Sequence, residues 1–182
     1  MASNLESAKR TLVDGVVRCA TARLAAPEAT AAQGWVRQVY ASAPPRDLLG
    51  ESADDLCGAA LALWAFAAER HPGTAKVRVY QPTQERDGWS CLHTIVEIVN
   101  DDMPFLVDSM CAFLNAPERE VKLIVHPVVQ VTRDPAGRRT ALLEAGQKAQ
   151  GALRESVIQI RLSEQPPEAW PAIRAGLEAV LA

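Results

Sequence analysis

Three aspartates and a proline crowd the stretch NDDMPFLVDSM, residues 100–110, and two histidines and a glutamate stand on neighbouring segments. Asp101, Asp102 and Asp108, joined by His93, Glu97 and His126, would supply the oxygen and imidazole groups that a hard cation or a general acid–base pair requires. On that reading the chain is a small metal-dependent hydrolase. The structural reading assigns the same residues to the start of a helix. Asp101 or Asp102 stands where an N-cap belongs, Pro104 falls in the first turn, where its missing N–H does no harm, and carboxylates favour the positive helix end. Leu106, Met110, Phe113 and Leu114 follow at helical spacing, which puts Asp108 on the exposed face. His93 and Glu97 share a strand face by the period of two, as a surface ion pair would, and His126 before Pro127 reads as an ordinary strand histidine. The chain contains no His-x-x-x-His, no Gly-x-Ser-x-Gly and no Cys–His pairing to favour catalysis.

The elements that must position these residues fall into two blocks. Before residue 73 the apolar side chains recur at spacings of three and four: Leu12, Val13, Val16, Val17, Ala20 and Leu24, then Trp35, Val36, Val39 and Tyr40. Pro44 and Pro45 break the pattern. Ser52, a ready N-cap, restarts it along Leu56, Ala60, Leu63, Trp64 and Ala67, and the Pro72-Gly73 turn ends it. After Gly73 the period drops to about two, the mark of strands. KVRVYQ alternates, HTIVEIV is a continuous β-branched run, and VKLIVHPVVQVT places Val121, Leu123, Val125, Val129 and Val131 on one face. The segment RDPAGRR signals a turn, TALLE a weak strand, ESVIQIRL a further strand and PPEAWPAIRAGLEAVLA a last helix.

This order predicts an N-terminal helical segment of about three helices over residues 1–72 and an α+β domain over residues 73–182. The expected domain is an antiparallel sheet with helices on one face, ferredoxin-like if the strand at 76–81 takes the edge beside 93–99. Trp35, Trp64 and Trp170 lie on helix stripes as core anchors. Trp89 either packs between the helical segment and the sheet or faces another chain or domain.

Composition excludes several functions. Of 182 residues 48% are hydrophobic, enough for a real core, and 19 Lys and Arg against 22 Asp and Glu leave a formal charge of -3 with no basic block, a poor match to nucleic acid. The four cysteines, Cys19, Cys57, Cys91 and Cys111, are too scattered for a zinc motif and fit free thiols in a reducing cytoplasm. No stretch approaches the roughly 20 apolar residues of a membrane helix. Neither Gly-x-Gly-x-x-Gly nor Gly-x-x-x-x-Gly-Lys occurs, so nucleotide-binding apparatus is missing from this segment.

The run AALALWAFAAERHPGTAKVRVYQPTQERDGWSCLHTIVEIVNDDMPFLVDSM, followed by LIVHPVVQVTRDPAGR, resembles the N-terminal region of the very large bacterial NAD-dependent glutamate dehydrogenases. The resemblance is strongest from Leu56 to Gly137 and extends more loosely through PPRDL and ESVIQIRL. In that family the region is an ACT-like domain ahead of a distant catalytic domain. The resemblance implies a fragment of a cytoplasmic enzyme that oxidatively deaminates L-glutamate to 2-oxoglutarate with NAD. The active site and NAD would lie elsewhere in the parent, and this segment, with no catalytic residue, metal or cofactor of its own, would serve regulation or oligomerisation through other domains or subunits. The ACT-type ligand turn, between the first core strand and the first helix, corresponds to Asn100, Asp101, Asp102, Met103, Pro104 and Phe105, a contact for an amino-acid effector. Pro104 and Phe105 depart from the small residues of a typical ACT turn, removing one donor and adding bulk. The alternative reading is a stand-alone ACT-like amino-acid sensor.

Overall fold

The computed structural model describes residues 2–144 and 146–182. Helices α1 (Ala2–Arg23), α2 (Glu28–Ala41) and α4 (Ala53–Phe66), with the single turn α3 (Pro45–Leu48), make up the N-terminal segment. Ser52 caps α4 by accepting from the Asp55 N–H at 3.0 Å, as its position before the apolar stripe predicts. Then follow β1 (Lys76–Tyr80), the turn α5 (Gln84–Asp87), β2 (Thr94–Asp101), α6 (Leu106–Leu114), β3 (Val121–Val125), β4 (Val128–Arg133), β5 (Arg139–Leu142), β6 (Leu153–Leu162) and α7 (Trp170–Val180). The short strand expected at TALLE is β5.

All pairings in the sheet are antiparallel, and its order is β1-β2-β6-β4-β5, with β3 also paired to β6. The long strand β6 is therefore shared: its first half pairs with β4 and its second half with β3, the two being interrupted at His126-Pro127. Counting β3 and β4 as one bent strand, the order is that of a ferredoxin-like sheet in which β1 occupies the edge beside β2, from Lys76 opposite Val99 to Tyr80 opposite Ile95. The fold is α+β and ACT-like, as expected.

Helices cover both faces. On one side Val77, Val96, Ile98, Ile158, Ile160 and Leu162 pack under α6 and α7, through Leu106, Met110, Leu114, Ile173 and Leu177. On the other, Val99, Leu123, Val125, Val129, Val131 and Val157 join Val16, Trp35, Val36, Leu56 and Leu63 of the N-terminal helices in one cluster. The central strands β2 and β6 are buried on both faces, which is why HTIVEIV and SVIQIRL read as continuous rather than alternating apolar runs.

Two local expectations fail. Val121 does not share a face with Leu123 and Val125: an irregularity between Val121 and Leu123 inserts an extra residue against β6 and turns Val121 towards the α6–α7 cluster. Nor do Asp101 and Asp102 cap α6. Asp101 is the last residue of β2, the helix starts only at Leu106, and the residue before it, Phe105, has a left-handed backbone with φ 62° and no capping side chain. Pro104 lies before the helix rather than within its first turn. The carboxylates are drawn instead to cations that the sequence holds far away.

Trp35, fully buried, donates to the Ala60 carbonyl at 2.8 Å, while Trp64 is half-buried with the Arg139 guanidinium 3.2 Å from its ring centre. Trp170 donates to the Gln165 carbonyl at 3.0 Å. Trp89 packs with Ala59 of α4 and with Tyr80 and Ile95 of the sheet, the intramolecular contact that was one of its two readings. The approach is close: a Cβ on Gly58 would lie 2.3 Å from that of Trp89.

Candidate functional site

The segment from Asn100 to Phe105 leaves the sheet where β2 ends and carries the chain over to α6. Asn100 is buried, and its Nδ2 has no hydrogen-bond partner among the described residues. Met103 and Phe105 point outward, 45% and 77% exposed. The turn thus sets one buried amide and two exposed apolar side chains around a proline that has no N–H to offer.

Asp101 and Asp102, adjacent in sequence, serve different networks. Asp101 stands opposite Glu155 in the β2–β6 register, a like-charge pair that is destabilising if left alone. Arg70, from the end of the N-terminal segment, resolves it: Nη2 donates to Asp101 at 2.5 Å and to Glu155 at 2.8 Å. The other Asp101 oxygen accepts from the Gly73 N–H at 2.8 Å. A second guanidinium, Arg133 of β4, donates to both oxygens of Glu155, at 2.8 Å and 2.7 Å. Arg133 also donates to the Ala67 and Ala68 carbonyls, which stand at the C-terminal end of α4, and to that of Gly137. Arg70, Glu155 and Arg133 are 0%, 1% and 2% exposed, so this is a buried charged triad that ties α4 to the sheet. Gly137 belongs to the same joint, because a Cβ there would meet the Arg70 carbonyl at 2.7 Å.

Asp102 accepts from Ser156 Oγ at 2.9 Å and pairs with Arg154 at 2.9 Å. Ser156 Oγ in turn lies 3.0 Å from His126 Nε2. A serine nucleophile must pass its proton to an imidazole that an acid orients. Here the serine hydroxyl donates its hydrogen bond to the aspartate, so His126 can only donate to the serine, and the order of groups is histidine, serine, aspartate. Burial pushes His126 below the ordinary imidazole range, partly offset by Asp102, and a neutral ring protonated at Nε2 can make this donation.

Glu97 is internal, not part of a surface ion pair. Arg78 donates to it through Nη2 and, at 2.9 Å, through Nε; Tyr80 Oη does so at 3.2 Å and Gln159 Nε2 at 3.0 Å. Burial pushes its carboxyl upward against the pull of Arg78, and burial likewise raises the Tyr80 phenol. Asp108 lies exposed in the first turn of α6. The acidic and imidazole groups of the metal reading are therefore dispersed. Among the described residues no cluster of three or more His, Cys, Asp or Glu side chains could hold a metal ion, and no helix is long and apolar enough to cross a membrane.

Sequence reasoning passed over the arginines altogether. Arg70, Arg133 and Arg161 look like surface residues in a list, and only the tertiary fold brings Arg70 and Arg133 to Glu155 and Arg161 to Glu51. One signal was available: Glu155 and Arg161 lie on the run ESVIQIRL, whose apolar core marks a strand buried on both faces and so demands partners for its charges.

Residues 35–177 match the family model described as the ACT1 domain of glutamate dehydrogenase. The chain belongs to that family. The match runs across residue 72, joining the last N-terminal helices to the sheet. The NAD-specific glutamate dehydrogenase of Halomonas elongata is 33% identical over 177 residues, which cover 97% of this chain and 11% of that protein. The enzyme of the same name from Pseudomonas aeruginosa is 32% identical over 108 residues, covering 59% of this chain and 7% of its own length. The chain thus spans about a tenth or less of the curated relatives it matches. No solved structure matches it. The expected kinship with the ACT-like region of NAD-dependent glutamate dehydrogenases is shown, and the ACT1 fold described above is its structural counterpart.

Proposed function

We propose that this ACT1 domain is a non-catalytic regulatory and assembly module at the N-terminal end of a large cytoplasmic NAD-dependent glutamate dehydrogenase. The parent polypeptide would oxidatively deaminate L-glutamate to 2-oxoglutarate, with NAD bound in its catalytic domain. The observation that carries this reading is the family match over residues 35–177 in a chain corresponding to only 11% of a relative with that activity in its name. The state of the chemical groups supports it. Glu97, Asp101, Asp102 and Glu155 have their oxygens committed to Arg78, Arg70, Arg154, Arg133 and neighbouring donors, an arrangement that holds a fold rigid rather than freeing a group for proton transfer.

In this reading residues 1–72 form a helical segment that shares its core with the ACT-like unit, residues 73–182, and the two dock onto other domains or subunits of the parent. The exposed Met103 and Phe105, with Val128 at 40% exposure, offer apolar contact points for that docking. An antibody raised against the chain tests it. A native polypeptide several times larger than 19.7 kDa that co-migrates with NAD-dependent glutamate dehydrogenase activity is the expected result. A band at 19.7 kDa free of that activity would refute it.

A second reading, a stand-alone sensor with an amino-acid effector on Asn100, Asp101, Asp102, Met103, Pro104 and Phe105, draws support from the unpartnered Asn100 amide at that turn. It predicts thermal stabilisation by an amino acid, about 2.7 kcal/mol at 100 times the Kd. Loss of that stabilisation in Asn100→Ala would assign it to the turn.

A further inference from the structure

Between the C-terminal half of α4 and the edge strand β5 lies a cavity of about 520 Å³, its wall completed by Leu24 and Glu28 where α1 gives way to α2. The volume falls in the range of small-ligand sites, roughly 300–1,000 Å³. Leu61, Trp64 and Leu142 make the lining mainly apolar, and Arg139 is the cation among the lining residues.

The Arg139 side chain reaches from β5 across to α4, the two elements that wall the cavity. Its guanidinium lies 3.2 Å from the centre of the Trp64 ring, and Nη1 and Nη2 each donate to the Trp64 carbonyl at 3.3 Å. Nε has no hydrogen-bond partner among the described residues and, unlike the Nε of Arg161, is not sealed from solvent. No carboxylate among the described residues forms an ion pair with Arg139, whereas Arg70, Arg78, Arg133 and Arg161 each meet one. Burial, and then repulsion from Arg133, pull Arg139 down to about 10, so it stays charged at neutral pH while half removed from water. A desolvated charge without a counter-ion favours an incoming anion.

The rest of the lining selects which anion. Glu28 stands in the same wall, so a dicarboxylate would gain Arg139 only against repulsion. An α-amino acid fits no better than a plain acid. Its ammonium lies next to its carboxylate, and the acceptor beside the guanidinium, the Trp64 carbonyl, is already taken by Arg139. Leu24, Leu61 and Leu142 suit a hydrocarbon tail.

We propose that the cavity between α4 and β5 binds a monocarboxylate with an apolar tail, in the manner of a short branched-chain fatty acid, its carboxylate at Arg139 and its tail against Leu24, Leu61 and Leu142. The site is separate from the turn at residues 100–105, and binding there holds or fails independently of the activity of the parent enzyme.

Titration of the 15N-labelled chain, followed by amide shifts, tests it with three probes on one branched skeleton: isocaproate, the corresponding alcohol isohexanol, and L-leucine, which adds an α-ammonium. Saturable shifts with isocaproate, centred on residues 24–31, 61–68 and 139–142, are the expected result. Isohexanol, which lacks the charge, should bind roughly 10- to 100-fold more weakly, and L-leucine more weakly than isocaproate. Arg139→Gln should bring isocaproate down to the level of the alcohol. Glu28→Gln removes the like charge while leaving Arg139 on Trp64, should tighten isocaproate roughly two- to five-fold, and serves if the Arg139 variant does not fold. Absence of a saturable shift with isocaproate, or shifts centred outside these three segments, would overturn the proposal. Equal affinity for isocaproate and isohexanol would remove Arg139 from the site, and L-leucine binding as tightly as isocaproate would overturn the monocarboxylate assignment. An affinity unchanged by Glu28→Gln would overturn the placement of the carboxylate.

Discussion

Replacing Glu155 by glutamine tests the claim that a buried charged triad holds the helical layer to the sheet. The variant keeps the shape of the side chain and removes its charge, leaving Arg70 and Arg133, 0% and 2% exposed, with no fully buried counter-ion between them. Asp101 still reaches Arg70, but that carboxylate is 41% exposed and its attraction is screened by water. Breaking a buried pair by removing one partner costs about 3–5 kcal/mol, because the remaining charge stays desolvated. In a chain of this size that corresponds to a fall in Tm of roughly 6–20 °C. Urea unfolding followed by far-ultraviolet circular dichroism measures it, with Arg174→Ala as a control. Arg174 and Glu178 form an exposed i, i+4 pair on α7, and its loss should cost no more than about 0.5 kcal/mol. Adding Arg70→Met to Glu155→Gln should cost less than the sum of the two single changes, since the second removes a charge that the first left unpaired. A loss below about 1 kcal/mol for Glu155→Gln, indistinguishable from a surface pair, would refute the reasoning.

Gly58→Ala should destabilise by about 1–3 kcal/mol, since its Cβ would overlap Trp89 at 2.3 Å; a denaturation midpoint equal to that of the unsubstituted chain would contradict the packing. His126 has its folded pKa below the unfolded value of 6.5, so between the two values the unfolded state binds more protons, and the contribution is present above 6.5 and lost as pH falls from there through the lower folded value. Urea midpoints of the chain and of His126→Asn should therefore differ more near pH 7.5 than near pH 5, and a constant difference would count against the shift. Cys57 is fully buried and its thiol is pushed up to about 12, first by burial and then by its neighbour Cys19. Of the four thiols it should resist a thiol reagent at about pH 8 until the chain is unfolded, as mass mapping of the labelled cysteines would show.

Periodicity alone located the principal helices and strands, because burying one stripe or one face requires a spacing that any folded partner would impose. The lone Ser52 before an apolar stripe marked the start of α4 for the same local reason. Even the edge position of β1 followed, since the ferredoxin-like order leaves one place beside β2 unfilled. The acidic turn was legible only in part. Asp101 and Asp102 have the composition of a helix start, but capping and pairing compete for the same oxygens, and Arg70 and Arg154 win because the fold brings them within hydrogen-bond distance. Which arginines face inward, that Glu97 is an internal anchor, and that Arg161 meets Glu51 are all consequences of contacts between residues tens of positions apart. A sequence fixes what each stretch prefers to be, whereas long-range electrostatics has no period to read. Only the folded sheet, by setting β6 between β2 and the β3–β4 strand, decided which charges met.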